Sequence, residues 1–153
     1  MKYVIGTTDK WDEYKTIFDN SELEERLFRG TDFLHQLLWE PLEQGRVIIA
    51  ETDEGEAIGL MVYNMKGMFG ELPYLDLLGV KDGHRGKGLG KALIEVFLSL
   101  AREMNFKKAF ICTSDFNLGA KKLYEEMGFI PIYLFDNLFD QGVAEWLLMK
   151  ELD

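Results

Sequence analysis

Cysteine is nearly absent from this chain: Cys112 is the only one in 153 residues. No intrachain disulfide can form, and a reducing compartment, the cytoplasm, is expected. Histidine is almost as scarce, at two residues, and no Cys/His cluster has metal-ligand spacing, so no metal is expected. Cations are in deficit. Lys and Arg total 17 against 27 Asp and Glu, a formal net charge of −10. A duplex binder must neutralise phosphates with clustered basic residues, which argues against nucleic acid as a partner. Apolar runs are short and broken by charges, below the ~18 residues a membrane span requires. The start, Met1-Lys2-Tyr3-Val4-Ile5-Gly6, has no signal-peptide core, so no membrane partner is expected. Internal repeats and Pro/Ser-rich linkers are also missing, and residues 1–153 are expected to form a single domain.

What is present suits a folded domain. Hydrophobic residues make up 47% and charged residues 29%, which is ordinary for globular chains. A chain of this length buries roughly 70% of its unfolded surface, enough for a core without metals or disulfides. The acidic balance attracts cations and fits an amine or basic-peptide substrate.

Residues 2–8 read as an edge strand. Asp9 is placed to cap a helix carrying Trp11, Tyr14, Ile17 and Phe18, with Asp12 and Glu13 in its first turn. A second helix bears Phe33, Leu34, Leu37 and Leu38 and is expected to stop near Pro41. Arg46 to Ala50 is a β-branched strand, Asp53-Glu54-Gly55-Glu56 a hairpin turn, and Ala57 to Met65 the returning strand. After a loop at 66–70, Leu72 to Val80 is apolar on both faces and therefore central. Leu89, Leu93, Val96, Phe97, Leu100 and Met104 mark an amphipathic helix. Lys108 to Thr113 reads as a strand, and Asn117 to Met127 as a helix ended by Gly128. Residues 129–135 and 143–149 read as two late strands. Alternating strands and helices suggest an α/β or α+β domain with one mixed sheet.

Five of the 15 glycines fall between Gly79 and Gly90. They lie between a strand and a helix, the geometry that points backbone N–H groups at an anion. Arg85, Lys87 and Lys91 add charge there, and a pyrophosphate site is expected. A P-loop does not fit, because Arg85 stands at its first glycine and Ala92 at its Mg²⁺-binding hydroxyl. A dinucleotide fingerprint does not fit either, since Gly86, Gly88 and Gly90 are spaced by two and two.

Arg85, Gly88 and Gly90 do satisfy R-x-x-G-x-G. That pattern, within Leu77 to Leu93, resembles the coenzyme A pyrophosphate motif of the GNAT superfamily of N-acetyltransferases. Downstream, Asn117-x-x-Ala120-x-x-x-Tyr124-Glu125-x-x-Gly128-Phe129 is similar to the superfamily's second motif, and the order of elements agrees across nearly the whole chain. The resemblance implies an α+β fold: a mixed, mostly antiparallel sheet of about seven strands with flanking helices. Its central parallel pair, Leu72 to Val80 and Lys108 to Thr113, would splay to admit pantetheine.

The resemblance also implies roles. Backbone groups of Leu78, Gly79 and Val80 would meet pantetheine and polarise the thioester carbonyl. Amides of Arg85, Gly86, Lys87, Gly88, Leu89, Gly90 and Lys91 would hold the pyrophosphate of acetyl-CoA, and Asn117 would help hold the pantetheine. Tyr124 matches the general acid that reprotonates the departing thiolate; its other reading is a core aromatic beside Ala120, Leu123 and Met127. The general base is open between Asp76, expected among apolar residues, and Glu71, with Tyr74 sharing the period of Asp76. Asp76 has a structural reading too, as a carboxylate capping a backbone group. Cys112 reads as a buried small hydrophobe, which favours direct transfer in a ternary complex over an acetyl-cysteine. His35 reads as structural, and His84 as facing solvent or phosphate. The acceptor would be a small-molecule amine or a peptide or protein N-terminus. The apolar stretch Leu134 to Phe139 would serve as a substrate wall or a homodimer face. The alternative function is a non-catalytic acyl-CoA sensor on the same fold.

Overall fold

The computed structural model describes residues 1–28 and 31–153. β1 (Lys2–Ile5) is followed by a helical run in three pieces: 3-10 turns at Thr8–Lys10 and Lys15–Phe18 on either side of α1 (Trp11–Tyr14). A π-turn at Glu24–Phe28 and α2 (Thr31–Glu43) come next. Then follow β2 (Val47–Glu51), β3 (Ala57–Met68), β4 (Leu72–Val80), α3 (Leu89–Glu103), β5 (Lys108–Ser114), α4 (Leu118–Glu126), β6 (Ile130–Phe135) and β7 (Glu145–Glu151).

The strands form one seven-stranded sheet in the order β1-β2-β3-β4-β5-β7-β6. β1–β2, β2–β3, β5–β7 and β6–β7 are antiparallel, while β4–β5 is parallel. Residues 69–71 join β3 to β4, far too few for a parallel crossover, so that pair is antiparallel as well. The mixed α+β architecture and the central place of β4 are as the sequence implies. The parallel register holds at Tyr74↔Phe110 and Leu75↔Ile111, whereas β5 and β7 stay in register from Lys108↔Glu151 to Ser114↔Glu145.

Four local expectations are corrected. Asp9 lies inside the Thr8–Lys10 turn instead of capping a long helix, and Thr7 before it makes no side-chain cap bond. Local hydrogen bonding explains the broken run: Thr16 Oγ1 donates to the Glu13 carbonyl at 2.7 Å and Ser21 Oγ to the Phe18 carbonyl at 2.6 Å. α2 passes through Pro41 to Glu43. The proline sits in the last turn, and its own carbonyl accepts from the Arg46 N–H at 2.9 Å. β3 continues to Met68, so the supposed loop 66–70 is mostly strand, closed by a tight turn at Phe69 and Gly70. Met104 lies beyond the end of α3 and is exposed, while Leu89, Leu93 and Phe97 are buried as their spacing implies.

The chain divides into two compact units, residues 1–63 with 77–96 and residues 64–76 with 97–153. In the first, Tyr14, Ile17, Phe18, Phe28, Leu38 and Ile49 belong to a buried apolar cluster, with Leu77 packed against it. In the second, Leu75, Phe97, Ile111, Phe129 and Leu148 are buried.

Gly79 is the most crowded of the described glycines in the first unit. A Cβ there would lie 2.4 Å from Phe18 Cε1, and Phe18 is itself buried. A glycine named for its place in the cofactor motif is thus also a packing requirement. Gly79→Ala must displace that ring, and we expect a loss of about 1–3 kcal/mol in stability. Urea unfolding of the variant against the parent chain measures it; an unchanged midpoint would show that the ring relaxes freely.

Candidate active site

The glycine-rich loop follows β4 in the first unit. Gly83, Gly86 and Gly88 have φ of +86°, +75° and +85°, the left-handed region that side chains with a Cβ rarely enter. Nothing lies within 4 Å of a Cβ built at any of the three, so backbone conformation, not crowding, selects glycine. Within α3 the Ala92 N–H donates to the Gly88 carbonyl at 3.0 Å. The amides of the turn before it lack intrahelical acceptors, the arrangement that favours an anion at a helix start. Lys87, Gly88 and Lys91 are exposed, whereas Leu89 is buried and anchors the helix.

Arg85 serves the loop differently from its sequence reading. Its Nε donates to the Val80 carbonyl at 2.7 Å, and its two Nη atoms donate to the carbonyls of Asn20 at 3.1 Å, Asp19 at 2.8 Å and Ile17 at 3.4 Å. Asp82 stands 3.7 Å from the guanidinium. The side chain fastens the loop to the segment after Lys15–Phe18, which leaves ligand contact to the loop amides. It also occupies the carbonyl of Val80, one of the backbone groups expected to meet pantetheine.

Tyr124 is the one buried residue of α4. The helix begins at Asn117, whose Oδ1 accepts from the Ala120 N–H at 3.2 Å. It ends in a Schellman motif. The Phe129 N–H donates to the Tyr124 carbonyl and the Gly128 N–H to the Glu125 carbonyl, both at 3.0 Å, with Gly128 at φ +95°. The Tyr124 and Phe129 rings lie 6.2 Å apart, the apolar contact that completes the motif. Burial pushes the Tyr124 phenol above its ordinary value.

The second unit also holds a polar face that register alone assembles. Tyr74 and Asp76 on β4 share it with Phe110, Cys112 and Ser114 on β5 and with Glu145, Leu147 and Met149 on β7. Tyr74 and Cys112 act on each other across this face, and burial raises the titration of both groups. Ser114 Oγ donates to Glu145 Oε1 at 2.6 Å. Glu145 is 4% exposed. Burial raises its carboxyl above the usual glutamate range and the charge of Asp115 adds to the rise, while the Ser114 bond opposes it. At the β3–β4 turn, Phe69 adopts φ +58°, a conformation costing about 1–3 kcal/mol for such a residue, and its ring meets Phe110 edge-on at 6.3 Å.

Of the expected acid–base groups, Tyr124, Asp76 and Glu71 all fall in the second unit, with Asn117, and residues 78–91 of the cofactor motif fall in the first. Asp76 is exposed, not enclosed by apolar neighbours as the sequence suggests, because it points to the polar face while Leu75 and Leu77 point the other way. Its charge is felt by Tyr74 and Cys112. Glu71 is exposed in the turn, its N–H donating to the Met68 carbonyl at 3.1 Å. Cys112 is half-buried beside Tyr74 rather than fully enclosed as an apolar filler. Sequence reading missed Glu145; the one available signal was a carboxylate at an inward position of a strand. Among the described residues no three His, Cys, Asp or Glu side chains group to hold a metal, and no helix is long and apolar enough to cross a membrane.

The Glu145 environment has a measurable consequence. A carboxyl raised by folding binds protons more tightly in the native state, so its contribution to stability falls as pH rises from the ordinary value near ~4.3 through the raised one. Glu145→Gln keeps the shape and cannot ionise. The variant should melt above the parent at pH 8, with the gap closing at pH 4; a constant gap would mean that burial does not perturb this carboxyl.

Three comparisons bear on kinship. A sequence model described as the acetyltransferase (GNAT) family matches residues 9–129. The uncharacterized N-acetyltransferase YjgM of Escherichia coli strain K12 is 32% identical over 99 residues, 64% of this chain and 58% of that protein. Human N-acetyltransferase 8B is 38% identical over 52 residues, 34% of this chain and 23% of its own length. The chain thus spans less than a quarter of that human relative. A crystal structure of a GNAT-family acetyltransferase from Bacillus cereus ATCC 10987 superposes with a TM-score of 0.74 at 20% identity, over 99% of this chain and 97% of that one. With the family match running from before α1 to the end of α4 and the fold shared along nearly the full length, the chain belongs to the acetyltransferase (GNAT) family.

Proposed function

We propose that this chain is an acetyl-CoA-dependent N-acetyltransferase that moves acetyl to a primary amine by direct transfer in a ternary complex. The observation that carries this reading is the loop between β4 and α3. Three left-handed glycines and a helix start present amides to an anion there, and Arg85 holds the loop by its carbonyls. That arrangement suits the pyrophosphate of acetyl-CoA. The backbone of Leu78, Gly79 and Val80 would meet the pantetheine arm. Asn117 uses Oδ1 for its cap, which leaves its amide N–H groups for a pantetheine carbonyl. The acceptor is a small-molecule amine or a peptide or protein N-terminus, and the compartment is the cytoplasm, where acetyl-CoA and reduced thiols coexist.

In the reaction the amine nitrogen attacks the thioester carbon and the C–S bond breaks. The departing thiolate takes the Tyr124 proton. The phenol is neutral throughout the working pH range, because burial raises it. The same dry surroundings raise the proton affinity of the nascent thiolate, so the transfer is not penalised as it would be in water. The amine proton passes to a carboxylate, with Asp76 and Glu71 the candidates from β4 and its turn. Cys112 is a poor nucleophile for a covalent route, since burial keeps its thiol protonated.

Saturating acetyl-CoA at ~100 times Kd should stabilise the chain by about 2.7 kcal/mol. For a domain of this size that is a melting shift of roughly 5–10 °C, with ATP and NAD giving none. A shift with ATP instead would assign the loop to another pyrophosphate. An amine panel read by release of free thiol then separates an enzyme from a sensor, which binds without turnover.

Tyr124→Phe should lower kcat about 10²-fold or more with the KM for acetyl-CoA little changed. An unaltered rate would remove Tyr124 as the acid and return it to the role of the buried anchor of α4.

A further inference from the structure

We propose that Glu145, held by Ser114, is the residue that takes the proton from the incoming primary ammonium, in preference to Asp76 or Glu71. The inference rests on the acetyltransferase reading and names the group that completes it.

Three observations converge on Glu145. First, its place in the sheet is fixed. Ser114↔Glu145 is the last pair of the β5–β7 ladder, next to Cys112↔Leu147, so the carboxylate shares a face with Tyr74, Asp76 and Cys112. Second, one oxygen is held and the other is available. Ser114 Oγ donates to Oε1 at 2.6 Å. Ser114 is the one side chain seen to bond this carboxylate among the described residues, and the residue as a whole is 4% exposed. Asp76 and Glu71, by contrast, are exposed, and neither is enclosed as Glu145 is. Third, the neighbourhood suits a cation. The register places Phe135 of β6 opposite Glu145 and Tyr133 opposite Leu147, and those two rings meet at 4.7 Å. Aromatic faces beside a carboxylate are the chemistry that recognises a primary ammonium.

The groups facing Glu145 are accounted for on each neighbouring element. They are Ser114 and Cys112 on β5, Asp115 just beyond it, Tyr74 and Asp76 on β4, and Tyr133 on β6. Lys121 of α4 lies 4.8 Å from the ring of Trp146, whose side chain points to the face of β7 opposite Glu145.

The proton balance is direct. The ammonium gives one proton to the Glu145 carboxylate and becomes a free amine. The amine attacks the thioester carbon, and the tetrahedral adduct collapses with loss of the thiolate, which takes the Tyr124 proton. The nitrogen's second proton returns through water to the Tyr124 phenolate, and Glu145 releases its proton to solvent.

The test uses the whole chain and the best amine from the thiol-release panel, and compares the parent with Glu145→Gln and Ser114→Ala. Glu145→Gln should lower kcat about 10²-fold while the acetyl-CoA melting shift is retained. Its rate should keep climbing with pH toward the amine's own pKa, where the parent levels off once Glu145 is ionised. A weakly basic β-fluorinated analogue of the amine, already neutral at pH 7.5, should recover most of the loss. Ser114→Ala removes the bond that lowers the carboxyl, so the acidic limb of its profile should move to higher pH. A Glu145→Gln variant within about threefold of the parent, a threshold well below ordinary acid–base effects, would overturn the assignment. So would an equal loss with the fluorinated amine and an unmoved profile, which is the signature of a purely structural role. If the parent itself neither shifts with acetyl-CoA nor releases thiol, the acetyltransferase reading fails and this inference falls with it. A parent that turns over with an indifferent Glu145 removes the inference alone.

Discussion

The guanidinium of Arg85 is the contact on which the loop after β4 depends. A segment built from three left-handed glycines has little cohesion of its own, because glycine loses the most conformational entropy on ordering. Arg85 offsets that by donating to four carbonyls, three of them more than sixty residues earlier in the chain. Asn20 reinforces the same junction, donating from Nδ2 to Asp82 at 3.1 Å. The result is a stretch of backbone amides whose direction is fixed before any ligand arrives. Preorganised donors of this kind bind anions without the cost of ordering at the moment of binding. Lysine could not substitute, because the guanidinium fork reaches several carbonyls at once and an ammonium on a flexible stem does not.

The second unit is governed by the opposite constraint, ionisable side chains placed where water is scarce. Tyr74, Cys112, Tyr124 and Glu145 are all moved away from their ordinary titration by burial. Each shift disfavours the charged form, so each costs stability when the group ionises. The fold keeps that cost small for three of the four by holding them neutral. Glu145 is the exception, because a carboxyl raised from the ordinary glutamate range is the one group of the four that starts on the acidic side of neutrality. Ser114 limits the cost with a hydrogen bond to the charged form. A buried carboxylate with one good donor is poorly compensated as a structural element, which is a physical reason to seek a chemical use for it.

Much of this was legible in the sequence, and the failures have identifiable causes. The order of elements, the hairpin at Gly55, the central position of β4 and the helix stop at Gly128 follow from period, turn chemistry and capping, all local properties. Pro41 misled because a proline forfeits one i→i−4 bond without preventing the two residues after it from completing the turn. Asp9 misled because Thr16 and Ser21 bond to their own backbone and break the helix into short pieces, a competition that residue type alone does not resolve. Asp76 was misjudged for a different reason. Its neighbours in sequence are apolar, but a strand sends alternate side chains to opposite faces, and only the position of β4 in the sheet tells which face is open. Glu145 offered only the signal of a carboxylate at an inward strand position, and its partner emerges only from the pairing of β7 with β5, since Ser114 is 31 residues away.

The charge balance then takes a more exact meaning than composition allows. A chain of net charge −10 seems a poor host for a pyrophosphate. Between Lys81 and Lys91 there are four Lys and Arg against one Asp. Yet Lys81 is paired with Glu56 at 3.0 Å and Arg85 is committed to carbonyls, which leaves Lys87 and Lys91 as the exposed cations. Two lysines cannot reverse the field of the whole molecule. At physiological ionic strength, however, that field decays over about 8 Å, and at contact distance the fixed amide dipoles and the helix start dominate. Net charge therefore bears on how fast an anion arrives and local backbone geometry on whether it stays. The same acidic surplus acts in the other direction on a cationic amine, whose approach it favours. On the proposed reading, the acidity of this chain and the amides of its glycine loop would serve the two opposite charges that an N-acetyltransferase must bring together.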